Sequence, residues 1–222
     1  MPDLLTADGL ARFRAAAAAY VSDEMVPGLV ALVARGDQVH VEALGSLDLD
    51  EPAGRLLPEL AAPRVLRRMD GPLGDTVPAR RPITVRDLLT FTFGFGMAVE
   101  MFAADPPWPV VAQAEALHLG TIGPPNPAEP PGPDTWIAGL GSLPLLAQPG
   151  ERWFYNTGAS VLGVLAGRAA GQPFAEVLRT RLFEPLGMPD TAFWTPHTGR
   201  LGSAFRSAPG GGLEVWDKPE GM

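Results

Sequence analysis

One tyrosine stands where a phenol could handle a proton. Tyr155 lies in Pro149-Gly150-Glu151-Arg152-Trp153-Phe154-Tyr155-Asn156-Thr157-Gly158, a Pro-Gly turn that leads into a short aromatic stretch and then a helix start. A phenol in that position can act as general base when neighbouring cations favour its charged form. The same residue can equally be a core aromatic whose hydroxyl rests on a helix terminus. Spacing alone leaves both readings open.

Other chemistries find less support. The three histidines, His40, His118 and His197, are too far apart in sequence for metal-ligand spacing, and there is no cysteine. No metal or other cofactor is expected. Gly94-Phe95-Gly96 and Gly210-Gly211-Gly212 read as turn glycines, because no G-x-x-x-x-G-K-[ST] loop occurs. The serines are Ser22, Ser46, Ser142, Ser160, Ser203 and Ser207, and none sits in G-x-S-x-G. The chain has a single lysine, Lys218, and no serine precedes it by three residues.

Charge and composition narrow the partners. The chain has 222 residues, a net charge of −8 and no basic run, so nucleic acid and anionic membrane are poor candidates, since phosphate binding needs clustered cations. Hydrophobic residues make up 46% and charged residues 19%, and mean hydropathy is +0.09, which excludes a disordered chain. Twenty-six glycines and 25 prolines predict long irregular connections. No stretch reaches the roughly 20 apolar residues of a membrane helix. With no signal peptide in view, a cytoplasmic location is expected.

The elements that must position Tyr155 follow from periodicity. Thr6-Ala7-Asp8-Gly9 offers a cap, and Leu10, Phe13, Ala17, Tyr20 and Val21 fall near helical spacing up to about Glu24. Residues 28–35 (GLVALVAR) and 38–45 (QVHVEALG), separated by Gly36-Asp37, read as a hairpin. Residues 62–81 read as surface loop. Thr84 and Asp87 form a capping box for a short helix, and residues 91–97 (FTFGFGM) read as an aromatic–glycine turn. Residues 120–133 hold six prolines and form a loop. Helices are predicted over 134–148, over 158–170 with Gly171 as terminator, and over 173–186 with Phe174, Val177, Leu178, Leu182 and Phe183 on one face. After Pro196 no element is predicted.

Several of these segments, taken in order, resemble the serine β-lactamase-like superfamily, in particular class C β-lactamase-related hydrolases and family VIII carboxylesterases. They are the opening helix running into Val26-Pro27-Gly28-Leu29-Val30-Ala31-Leu32-Val33, then Leu47-Asp48-Leu49-Asp50-Glu51-Pro52 with Leu57-Pro58-Glu59-Leu60, then Arg81-Pro82-Ile83-Thr84-Val85-Arg86-Asp87-Leu88-Leu89-Thr90, the Pro149–Thr157 segment, and Glu184-Pro185-Leu186-Gly187-Met188-Pro189-Asp190-Thr191. Phe91 and Phe93 stand where that family usually has His and Ser. The resemblance implies an α/β (α+β) chain of β-lactamase/transpeptidase-like fold. Residues 1–222 would form one incomplete domain: a helix and hairpin of an unfinished antiparallel sheet over 1–45, and a mainly helical, loop-rich part over 46–222.

The resemblance also implies a mechanism. In the family a serine of S-x-x-K attacks an ester or β-lactam carbonyl, the lysine and a tyrosine of Y-x-N manage the proton, and backbone N–H groups hold the oxyanion. Tyr155 matches the tyrosine and would be a vestigial general base. Asn156 and Thr157 would face substrate, with Thr157 where Y-x-N has Asn. The S-x-x-K segment expected between the hairpin and Leu47 is missing, and Met222 comes before the closing K-T-G-type strand. The expectation is therefore a truncated hydrolase scaffold with little or no activity. An active carboxylesterase using Ser46 or Ser160, and a non-catalytic binding or association module, are the alternatives. The ligand would be a small ester or β-lactam, and an exposed sheet edge would favour self-association.

Overall fold

The computed structural model describes residues 6–18, 28–35, 38–45, 48–120 and 130–218. They fall into two compact units, Met1–Val177 and Leu178–Met222.

The first unit opens with α1 (Ala7–Ala18), whose first turn is held by Gly9 N–H donating to Thr6 Oγ1 at 3.1 Å. The predicted continuation to Glu24 lies outside the described residues, as does the turn Gly36-Asp37. Strands β1 (Gly28–Arg35) and β2 (Gln38–Gly45) pair antiparallel from Gly28↔Gly45 to Arg35↔Gln38, as the two apolar runs and their short gap require.

Residues 62–81 are not the surface loop predicted from their prolines and charges. They contain β3 (Arg64–Leu66) and β4 (Thr76–Pro78), an antiparallel pair. Val65 and Leu66 are buried. Leu145 lies along β3: Leu145 N–H donates to the Arg64 carbonyl at 2.7 Å and Leu66 N–H to the Leu145 carbonyl at 2.8 Å. Three residues bounded by prolines are too few to show a period, and the pairing partner lies about 80 positions on.

The helices that follow obey their local signals more closely. Thr84 caps α2 (Val85–Leu89) with the reciprocal bonds of a capping box: Asp87 N–H donates to Thr84 Oγ1, and Thr84 N–H to Asp87 Oδ2. α3 (Pro109–Ala116) begins on a proline at its first position, where a missing N–H costs nothing. α4 (Pro133–Gly141) is shorter than the predicted 134–148. Pro144 cannot continue a helix, and residues 145–146 bond instead to Arg64 and to the Gly94 carbonyl. α5 (Thr157–Ala170) ends at Gly171, whose φ of +65° is the left-handed cap predicted for it.

The core of this unit is one cluster built from residues 49–165. Leu57, Ile83, Leu88, Phe93, Ile137 and Phe154 are at its fully buried centre. The Trp136 indole N–H is buried and donates to the Leu119 carbonyl at 2.8 Å, so the large ring carries no orphan donor. Arg168, near the end of α5, reaches both Glu59 oxygens, Asp134 Oδ1 and the Leu56 carbonyl. It joins α5 to α4 and to the turn at residues 58–60.

The predicted helix 173–186 is also revised. Its α-helical part, α6, is Phe174–Leu178, and Arg179–Phe183 forms a wider π turn with Glu184 N–H donating to the Arg179 carbonyl. Leu182 is exposed, so the single apolar face does not persist through the wider turn. In the second unit, the tail read as featureless contains β5 (Ala204–Ser207) and β6 (Leu213–Asp217), antiparallel, with a register shift between Ala204 and Phe205. The glycines at 210–212 make the turn between them: Gly211 and Gly212 take φ of +88° and +81°, and Ala208 N–H donates to the Gly212 carbonyl. No described residue of this unit is buried.

Candidate active site

Tyr155 is placed by the aromatic–glycine turn running beside it. Phe154 N–H donates to the Phe91 carbonyl at 2.9 Å, and Gly150 N–H to the Thr92 carbonyl at 2.8 Å. Met97 and Tyr155 exchange both backbone bonds. The two segments can approach this closely because of glycine. A Cβ on Gly96, at φ +145°, would lie 2.7 Å from the Tyr155 carbonyl oxygen. A Cβ on Gly158 would lie 2.9 Å from the Leu88 carbonyl oxygen, so α5 begins in contact with the end of α2.

Strand alternation then decides which aromatic is core. Phe154 is 0% exposed and Tyr155 is 56% exposed. The core-aromatic reading of Tyr155 is thereby corrected: its neighbour fills the core, and the phenol faces out at the head of a 14-residue helix. Asn156 carries the chain into that helix at φ +76° and ψ −60°, and its side chain makes no capping bond. A non-glycine residue held at positive φ costs about 1–3 kcal/mol and persists where surrounding structure imposes it.

The sequence-predicted residues therefore separate. Tyr155 and Asn156 are exposed, whereas Thr157 is 2% exposed and its Oγ1 is buried without a hydrogen-bond partner. Ser160 is exposed on the first turn of α5. Ser46 lies outside the described residues. Among the described residues no three His, Asp or Glu side chains gather as metal ligands, and no helix is long and apolar enough to cross a membrane.

Two neighbours of Tyr155 were not singled out by the sequence reading as site residues. Trp153 is 57% exposed and its ring centroid lies 6.1 Å from that of Tyr155 and 6.3 Å from that of Phe91. The signal was present: residues 153 and 155 share one side of an extended segment. On the other side the Arg152 guanidinium sits 5.4 Å from the centre of the Phe154 ring and donates to both Glu100 oxygens at 2.6 and 2.8 Å. That guanidinium holds the Glu100 carboxyl below the usual carboxylate range.

Comparisons with known proteins bear on the family and the fold. The profile of the Beta-lactamase family matches residues 42–221. An uncharacterized protein of Mycobacterium tuberculosis is 37% identical over 150 residues, 68% of this chain and 34% of that protein. The lovastatin esterase of Penicillium rubens is 33% identical over 153 residues, again 68% and 34%. Esterase EstB of Burkholderia gladioli is 30% identical over 155 residues, 70% and 34%. The chain thus spans about a third of the length of the curated relatives it matches. Among solved structures, EstCE1, a hydrolase with promiscuous acyltransferase activity, superposes with a TM-score of 0.57 at 22% identity, covering 94% of this chain and 59% of that one. Unliganded simvastatin synthase from Aspergillus terreus gives 0.55 at 21%, covering 95% and 62%. At these identities the likeness is one of fold.

Proposed function

The chain belongs to the Beta-lactamase family, and from that premise we propose that it is a β-lactamase-related serine hydrolase scaffold with little or no hydrolytic activity of its own. One observation carries the reading. Tyr155 is presented to solvent at the head of α5, yet nowhere in the 222 residues does a serine stand three before a lysine. Acyl transfer needs a hydroxyl that attacks the acyl carbon and a base that takes its proton. Tyr155 could serve the second role, as a general base without its reaction partner, and Asn156, exposed beside it, would border the substrate, whereas Thr157 is buried.

The ligand in this reading is a small ester or β-lactam. The relatives named as esterases support the ester class. Nucleic acid and anionic membrane stay outside it, because the chain carries −8 and no basic run. Self-association through an open strand edge belongs to the same proposal, since the described strands form three separate two-stranded sheets.

A second reading rests on Ser160. It is exposed one turn into α5, where the helix N-terminus favours negative charge, and it would make the chain a carboxylesterase with a non-standard nucleophile. Nitrophenyl acetate and a chromogenic cephalosporin, offered to the wild type and to Tyr155→Phe, Ser46→Ala and Ser160→Ala, separate the two. Buffer-level rates in all four proteins are expected. Turnover that disappears in Ser160→Ala or Ser46→Ala, or a stoichiometric mass gain with a fluorophosphonate, overturns the first reading.

A further inference from the structure

Phe91, Trp153 and Tyr155 form a continuous row of rings. The Phe91 backbone is held at φ +58°, between its own N–H, which donates to the Leu88 carbonyl, and its carbonyl, which accepts from Phe154. A Cβ on Gly158 would lie 3.1 Å from Phe91 Cδ1, so the Phe91 ring rests on the first turn of α5. Trp153 then leans between Phe91 and Tyr155, its plane tilted 51° to one and 44° to the other. A tryptophan more than half exposed is uncommon, because the ring gains most from burial.

The row carries no formal charge. The nearest cation in the segment, Arg152, lies on the opposite side of the extended chain, over the buried Phe154 and paired to Glu100. A charged ligand would find no counter-ion on the ledge itself, while a flat uncharged ring would gain stacking area there.

We propose that Trp153, with Phe91 behind it, is the specificity-determining ledge of this site and takes the aryl or other flat apolar group of a neutral ester whose carbonyl lies toward Tyr155. The proposal rests on the reading that Tyr155 marks the site. Its own content is the choice of substrate group, and it can be read by binding without turnover. The flat group could sit on the acyl or on the alcohol side of the ester, and two inert amides distinguish these sources. N-methyl-2-phenylacetamide carries the ring on the acyl side and N-benzylacetamide on the other, with N-methylacetamide as the ringless control.

Binding of each amide to the full chain is measured by saturation-transfer NMR and by titration of the indole N–H signals. The expected result is binding of at least one aryl amide, none of the ringless amide, and a loss of about tenfold in Trp153→Ala. Trp153→Phe should restore binding to within about threefold, because a ring remains. No aryl binding by the wild type, equal binding by Trp153→Ala, or equal binding of the ringless amide overturns the ledge. Ester turnover without aryl preference also sinks the ledge while leaving the hydrolase family reading intact. Aryl binding without turnover supports the ledge and bears on the hydrolytic reading alone.

Discussion

Met97 and Tyr155 exchange two backbone hydrogen bonds, each 3.0 Å long. This antiparallel bridge ties the aromatic–glycine turn to the segment that presents the phenol. It depends on Gly96, because a Cβ there would fall 2.7 Å from the Tyr155 carbonyl oxygen and 2.9 Å from Phe154 Cβ, on a backbone at φ +145°. Gly96→Ala should therefore destabilise the protein by about 1–3 kcal/mol. It should also shift the amide signals of Met97 and Tyr155 more than those of α4. Urea unfolding together with amide NMR checks both parts, and an unchanged midpoint would show that the bridge is slack.

Phe154 and Tyr155 are adjacent but do opposite things. Phe154 lies in the core, fully buried, and Phe154→Ala should cost about 3–5 kcal/mol. Tyr155→Phe removes an exposed hydroxyl, and its stability should stay within about 0.5 kcal/mol of the wild type. Thermal or urea unfolding of the two variants tests the assignment. Equal losses would return Tyr155 to the core and remove it from the site.

Asp87 gives the fold a defined sensitivity to acid. Its side chain is buried, which by itself would raise its pKa. Paired hydrogen bonds from Arg81 and those from Thr84 outweigh that and hold the carboxyl below its ordinary 3.8. A depressed folded-state value contributes stability that is present above 3.8 and is lost as pH falls through the lower folded value, because the unfolded chain takes up its proton first. Asp87→Asn should be less stable by about 1–3 kcal/mol near neutrality. The gap from the wild type should narrow once pH falls below 3.8. Urea midpoints measured at successive pH values follow that narrowing, and a gap independent of pH would contradict it.

Some of this was legible in the sequence and some was not, for physical reasons. The bounds of β1 and β2 follow from apolar runs of strand length, the start of α2 from Thr84 and Asp87, and the end of α5 from Gly171. These are local signals, complete within a few residues. β3 and β4 were hidden because each is three residues long and their stabilising partner, Leu145, is remote in sequence. β5 and β6 were hidden because the glycines between them resemble an unstructured tail. At the site, the segment around Tyr155 was readable. That Phe154 and not Tyr155 fills the core is a matter of alternation, and it needed the bridge to Met97 to set its phase. The role of Phe91 depends on a left-handed backbone that its residue type does not announce.

Arg168 offers a contrast between two carboxylates on one cation. Both raise its pKa, Glu59 more strongly than Asp134. The Glu59 side chain is 22% exposed and that of Asp134 is 87% exposed. Solvent screens the second pair, so Asp134→Asn should change stability by about 0.5 kcal/mol or less. Arg168→Met leaves Glu59 and the Leu56 carbonyl without their donor, and should cost about 1–3 kcal/mol. A double-mutant cycle between Arg168 and Glu59 should show clear coupling, and one between Arg168 and Asp134 little. Equal couplings would mean that burial does not rank the two pairs.

The hairpin β5–β6 sets the last expectation. On one face Phe205, Leu213 and Val215 are exposed, and on the other Arg206 pairs with Glu214. A two-stranded hairpin is at best marginal alone in water, and an uncovered apolar face with free strand edges favours pairing with another chain. Val215 is at the centre of β6, where a lysine would set a charge against any incoming apolar face without removing a buried contact. Sedimentation should show mass rising with protein concentration in the wild type, and Val215→Lys should suppress that rise with the urea midpoint held within about 0.5 kcal/mol. If Val215→Lys associates as the wild type does, this face is not the one that associates. If the wild type keeps its monomer mass at every concentration, the exposed edge does not drive association.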